Sequence, residues 1–349
     1  MKKIIFLFAL CCYSFCIHAQ NNSDKEPYLT KSLSKENVKD VILETIGGNI
    51  SVVAVSRSEA RLEVFVNPNN NRGNSFSKEE IKRRLEEDYD LNILINGNKL
   101  TAIAKPKSNN KNMDWRKALN ISLKAFVPAN VSTDLSTDGG NITLMGISGT
   151  QNFSTSGGNL NLESISGKVK GRTSGGNLYV ANSKDDIDLS TSGGNIIAEN
   201  CLGNLILSTS GGSIILSGLK GKIKATTNGG NINGNNIEGE LFTHTSGGSI
   251  HLNDMSGSLE ASTSGGHIDV AITSLGKYVK IHNSGGNVEL QLPKNAAVNL
   301  DLSASRVKAD ALNNFSGTKE DDEIRGKLNA GRIPVTVRSS SGSIHLSLK

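Results

Sequence analysis

Asp185, Asp186 and Asp188 crowd one short stretch, with Glu163 and Glu199 at related positions on either side. Paired carboxylates on one outward face are what polysaccharide hydrolases use, one as general acid and the other as base or nucleophile. Alternation along a strand points Asp186 and Asp188 the same way. Asp185, however, stands where neighbouring segments carry glycine, and the only nearby cations are Lys168, Lys170 and Lys184. The stretch reads as a solvated charged turn, and no residue is assigned a catalytic role.

Other chemistry fails on spacing. The histidines beyond His18 are His244, His251, His267, His282 and His345. His251 and His267 fall in different columns of the repeat described below, so no zinc set of three or four ligands assembles. Gly-rich turns at this period also build calcium rolls, but here Gly-Gly leads into Asn-Ile with no recurrent Asp. The roughly six to eight oxygens that a hard cation needs are therefore not supplied. No Gly-x-Ser-x-Gly elbow stands out. Neither metal nor cofactor is expected, and the chain reads as non-enzymatic. More informative are apolar side chains expected to face outward: Tyr179, Ile197 and Ile215 in one column, Ile206 and Phe242 in another. Such patches mark contact sites, including self-association. Trp115, in Met-Asp-Trp-Arg, is suited to stack on a sugar or to pack its own segment.

A repeat must position these residues. Gly-Gly recurs at 139, 157, 175, 193, 211, 229, 247 and 265, a spacing of 18, mostly within Thr-Ser-Gly-Gly-Asn-Ile. A fixed short period marks a solenoid. Ile142, Leu160, Leu178, Ile196, Ile214, Ile232, Ile250 and Ile268 align, and the position two residues on is again apolar in every rung but that of Gly234. The residue between them is mostly polar, the alternation of a strand with one buried face. A second inward column is Val169, Ile187, Leu205, Ile223, Leu241 and Leu259, following a turn placed at Gly149, Gly167, Gly203, Gly221, Gly239 and Gly257. Eighteen residues with two turns leave no room for a helix, so each repeat is one β-coil. Roughly ten coils stacked about 4.8 Å apart make a rod of about 45 to 50 Å. The Thr column at 137, 155, 173, 191, 209, 227, 245 and 263 and the Asn column from Asn141 are expected to bond rung to rung, and the glycines to supply corners.

Met1–Ala19 has a basic start and an apolar run, the pattern of a secretory signal peptide. Cys11, Cys12 and Cys16 fall within it; Cys16 follows Phe15 and Cys11 follows Leu10, which disfavours lipidation. That leaves Cys201, in a column with Ile147 and Ile165, as a core thiol with no disulfide partner. Net charge is +5 with both signs interspersed, and aromatics are 4%. These features make no case for nucleic-acid binding. No later apolar run reaches membrane-span length.

The expected organisation is a signal peptide (1–19), a flexible leader (20–37), a first rung with an N-terminal cap enlarged by an insertion (38–136), the regular solenoid (137–292) and C-terminal rungs with a cap (293–349). A helix near 77–89 starts with Ser77 and Glu80 at capping-box spacing. The stretch 319–327 reads as an exposed loop.

The early Gly-Gly-Asn-Ile rung (residues 47–50), the Thr-Ser-Gly-Gly-Asn-Ile array and the closing Leu-Gln-Leu-Pro and Ser-Ser-Ser-Gly-Ser-Ile segments together resemble the bacterial putative adhesin domain family, from about Val38 to Lys349. The resemblance implies an all-β, single-stranded, right-handed parallel β-helix exported from the cell, with no enzymatic site to transfer. The expected function is an adhesin or envelope scaffold, periplasmic or on the surface, binding a protein or glycan. A periplasmic structural or signalling accessory is the alternative, and a polysaccharide-active enzyme the third reading.

Overall fold

The computed structural model describes residues 26–69, 77–107 and 118–349. The expected signal peptide, Met1–Ala19, and Trp115 lie outside the described residues. The chain is a β-solenoid. Its unit is an eight-residue strand and a four-residue strand joined by corners, as in Ser148–Thr155 and Leu160–Glu163. Both stack in parallel on their counterparts 18 residues away, Val169 on Ile187 and Leu178 on Ile196. From Ile214 onward the short strand runs through the corner into the next long one, giving single strands such as Ile214–Thr226.

The predicted inward columns are the core: Ile196, Ile214, Ile232 and Leu205 are fully buried, and Cys201 joins them with its thiol pKa pushed up by burial. The rung of Gly234 is no defect. A Cβ there would stand 2.7 Å from both Ile237 and Leu252, whose side chains fill the space. Likewise the Phe153 ring occupies the place of a side chain at Gly171.

Both corners differ in detail from the sequence expectation. The Gly149-type glycines do not form the turn; they sit inside the long strand at positive φ, 123° at Gly149 and 125° at Gly203. The turn lies earlier, at Gly146, Ser164, Asn182, Asn200, Gly218, Asn236 and Asp254, all left-handed with φ between 51° and 70°. Short polar residues tolerate that region, so the column alternates in identity while keeping its conformation. In the Gly193-Gly194 corner only the second glycine is sterically required. A Cβ on Gly194 would meet the Gly176 carbonyl oxygen at 2.0 Å, whereas one on Gly193 finds nothing nearer than 3.6 Å.

The polar columns do stitch the rungs, through the main chain. The Thr191 hydroxyl donates to the Gly176 carbonyl and accepts from Gly194 N–H. The Asn141 side chain accepts from Asn159 N–H, Asn159 from Asn177 and Asn177 from Asn195, each at 2.8 Å.

At each end the chain interleaves. Asp40–Glu44 lies between Ser132–Thr137 and Lys99–Pro106, and Ile50–Ala54 between Ile142–Met145 and Leu119–Val127, all parallel. The insertion thus supplies a rung outside the first one. It is covered by antiparallel Tyr89–Asn96, Arg61–Pro68 and Leu29–Ser32. Leu29–Ser32 and the fully buried Leu33 correct the reading of 20–37 as wholly flexible, because the end of the core needs their cover. The helix Lys78–Asp88 buries Leu85, and its Ser77 cap accepts from Glu80 N–H.

The other end mirrors this. Ile333–Ser339 slots between Ile268–Asn283 and Val298–Ser303, and Ser343–Leu348 between Val288–Leu292 and Arg306–Ala309. The stretch expected to be a loop is instead the hairpin Phe315–Lys319 with Glu323–Leu328, which covers the outermost rung. Its alternation is masked by charge, since within Glu323–Leu328 only Ile324 and Leu328 are buried.

Candidate functional site

Pleating sends every second residue outward, so stacked strands turn outward positions into straight columns about 4.8 Å apart. On the short-strand face one column reads Thr143, Asn161, Tyr179, Ile197, Ile215, Asn233, His251 and Asp269. Tyr179 is 37% exposed and Ile215 41%, with Ile197 half-buried between them. The Tyr179 phenol donates to Glu199 Oε2 at 3.0 Å. Partial burial, then the Glu199 carboxylate, raise its pKa.

Ile206 and Phe242 belong to the long-strand face, so the five apolar residues do not form one patch. Nor do these two touch in column: Lys224 stands between them, its Nζ 5.4 Å from the Phe242 ring centroid. The long-strand column runs Asp134, Asn152, Lys170, Asp188, Ile206, Lys224, Phe242, Glu260 and Lys280.

The acidic residues are occupied structurally. Asp185, at φ 78°, accepts from Gly167 N–H at 2.9 Å. Asp186 faces Lys168 and Asp188 faces Lys170 on the adjoining strand, with Arg172 at 3.8 Å from Asp188. Glu163 and Glu199 lie on the other face, separated by the rung of Ala181. No converging acid–base pair is formed among these residues. Among the described residues no group of three or more His, Cys, Asp or Glu is placed to hold a metal ion. His267 serves the corner ladder, its Nδ1 accepting from Asn287 N–H, and His244 bonds to the Ser262 hydroxyl.

One feature escaped the sequence reading. Serines flanking the threonine column, such as Ser190 and Ser192, line a shallow open groove of 520 Å³, crossed by Arg172, which donates to Ser190 at 2.8 Å. The signal was the Ser-Thr-Ser triplet itself, whose outer hydroxyls both face solvent.

A family model described as Toastrack DUF4097 matches residues 107–347. Among solved structures, a putative cell adhesion protein from Clostridium sporogenes aligns over 93% of this chain and 100% of its own at 10% identity and a TM-score of 0.18. A putative adhesin from Bacteroides fragilis aligns over 92% and 96% at 11% identity and a TM-score of 0.25. At these values neither bears on what this chain binds. No curated protein matches it.

Proposed function

The chain belongs to the Toastrack DUF4097 family, and from that premise we propose that it is an exported, non-enzymatic binding scaffold of the cell envelope, of adhesin type. Its inward columns are consumed by packing and its corners by hydrogen bonds, which leaves the outward columns to meet a partner. One observation carries the reading: Tyr179, Ile197 and Ile215 present an apolar strip on a stiff parallel sheet bordered by Glu199 and Asn233. A contiguous apolar strip within a polar rim suits a protein surface or the apolar face of a glycan.

The first test is protease shaving of intact cells beside a periplasmic control. Loss of this protein while the control survives supports surface display; full protection turns the reading to a periplasmic accessory. The second presents purified protein to host-cell matrix proteins and a glycan array. Ile197→Asp should abolish any binding found while leaving circular dichroism unchanged. Binding that survives this change removes the short-strand face from the function.

A further inference from the structure

The long-strand column has a symmetry that the short-strand column lacks. Of its nine outward residues from Asp134 to Lys280, Ile206 is the middle one. Folded about Ile206, the sequence of side chains is complementary to itself. One rung out, Asp188 matches Lys224; two rungs out, Lys170 matches the Phe242 ring. Three out, the Asn152 amide matches the Glu260 carboxylate, and four out, Asp134 matches Lys280.

An isologous contact makes this demand, because a two-fold axis brings residue i of one copy onto residue j of the other, and j onto i. We propose that two copies of this chain pair antiparallel through the long-strand face, with the axis at Ile206. Each match then occurs twice, and the two exposed Ile206 side chains, 38% accessible in the single chain, meet at the centre. The axis runs along the strands, so each flanking column is folded onto itself. It places Lys168 opposite Glu240 and Asp186 opposite Lys222, which adds ion pairs, and Arg172 opposite His244, a match without attraction. Lys170 over Phe242 is a cation–π contact.

Register is specified as well as attraction. Moving the axis one rung to Lys224 sets that residue against itself, Asp188 against Glu260 and Lys170 against Lys280. Moving it the other way sets Asp188 against itself. Like charges at short range across an interface suppress the wrong alignment. Within one chain Asp188 and Lys224 are only loosely engaged, with Arg172 3.8 Å from Asp188 and Lys224 5.4 Å from the Phe242 centroid, which leaves these two to meet a partner, whereas Glu240 already accepts from the Tyr278 hydroxyl. The column spans roughly 38 Å at the strand spacing, and with a strand width of about 20 Å it offers on the order of 750 Å² per copy. That is close to the roughly 800 Å² per partner of a specific interface. The Tyr179 face stays outward in the pair, so this inference stands or falls apart from the proposed function.

Sedimentation equilibrium of the full chain at low salt tests it. The expected result is a dimer whose dissociation constant rises about 10-fold or more between low and high salt. Asp188→Lys and Lys224→Asp should each weaken it at least about 10-fold, since each puts two like-charged pairs in the interface. Mixed together, the two variants should form a heterodimer within about 3-fold of the wild-type affinity, because both pairs are then opposite in sign. Recovery on mixing also proves both variants folded. A wild-type chain that stays monomeric at about 100 μM, a concentration at which the contact area argued above should associate, overturns the proposal. So does a dimer indifferent to either reversal, or a mixture no tighter than its components.

Discussion

The hydroxyl of Thr191 donates to the carbonyl of Gly176 one rung back, at 2.8 Å, and takes a hydrogen bond from the Gly194 amide of its own corner. One small side chain thus satisfies two buried main-chain groups on successive coils. Thr191→Val keeps the shape but orphans both, at a cost of about 1–3 kcal/mol. Urea unfolding should show this loss, while Thr191→Ser recovers most of it.

The two glycines of a corner should respond differently. Gly194→Ala forces a Cβ against the Gly176 carbonyl and should destabilise by about 1–3 kcal/mol. Gly193→Ala has room and should stay within about 0.5 kcal/mol of the parent. Equal effects in thermal melts would refute the close-approach explanation of the pair.

Tyr278 donates to Glu240 Oε1 at 2.8 Å, two rungs away, and this bond with partial burial pushes its pKa up to about 12. A raised folded pKa favours the neutral phenol. The contribution to stability is therefore whole below the unfolded value near 10 and disappears as pH climbs through about 12. Absorbance titration should find one tyrosine ionising last, and Glu240→Ala should return its midpoint towards 10.

Truncation at Ile333 should do more than trim an end. It removes Ile333–Ser339 and Ser343–Leu348 from between two pairs of strands, and so strands the rung of Val298–Ser303 and Arg306–Ala309. Limited proteolysis is expected to cut beyond Lys294 in the truncated chain and to spare that region in the intact one.

The array was legible because every column is read many times over: Ile196, Ile214 and Ile232 vote together on which side is in. The left-handed corner was not, since Gly146, Ser164, Asn182 and Asp254 share a backbone conformation and no side-chain chemistry. The ends were legible only as caps. Nothing local to Lys99–Pro106 tells that it stacks outside Asp40–Glu44, because that order is decided by which exposed core surface each segment covers. For the candidate faces, the columns followed from the period. The same period sets Lys224 between Ile206 and Phe242.

The interleaved ends have a mechanical consequence. Tension applied through the first or the last solenoid strand does not peel an outermost strand one hydrogen bond at a time. It drags Asp40–Glu44 or Ser343–Leu348 lengthwise from between two parallel neighbours, so both ladders must shear together. A rod held at one end and loaded at the other would yield abruptly at high force rather than unravel gradually, which is the behaviour required of a tether under flow.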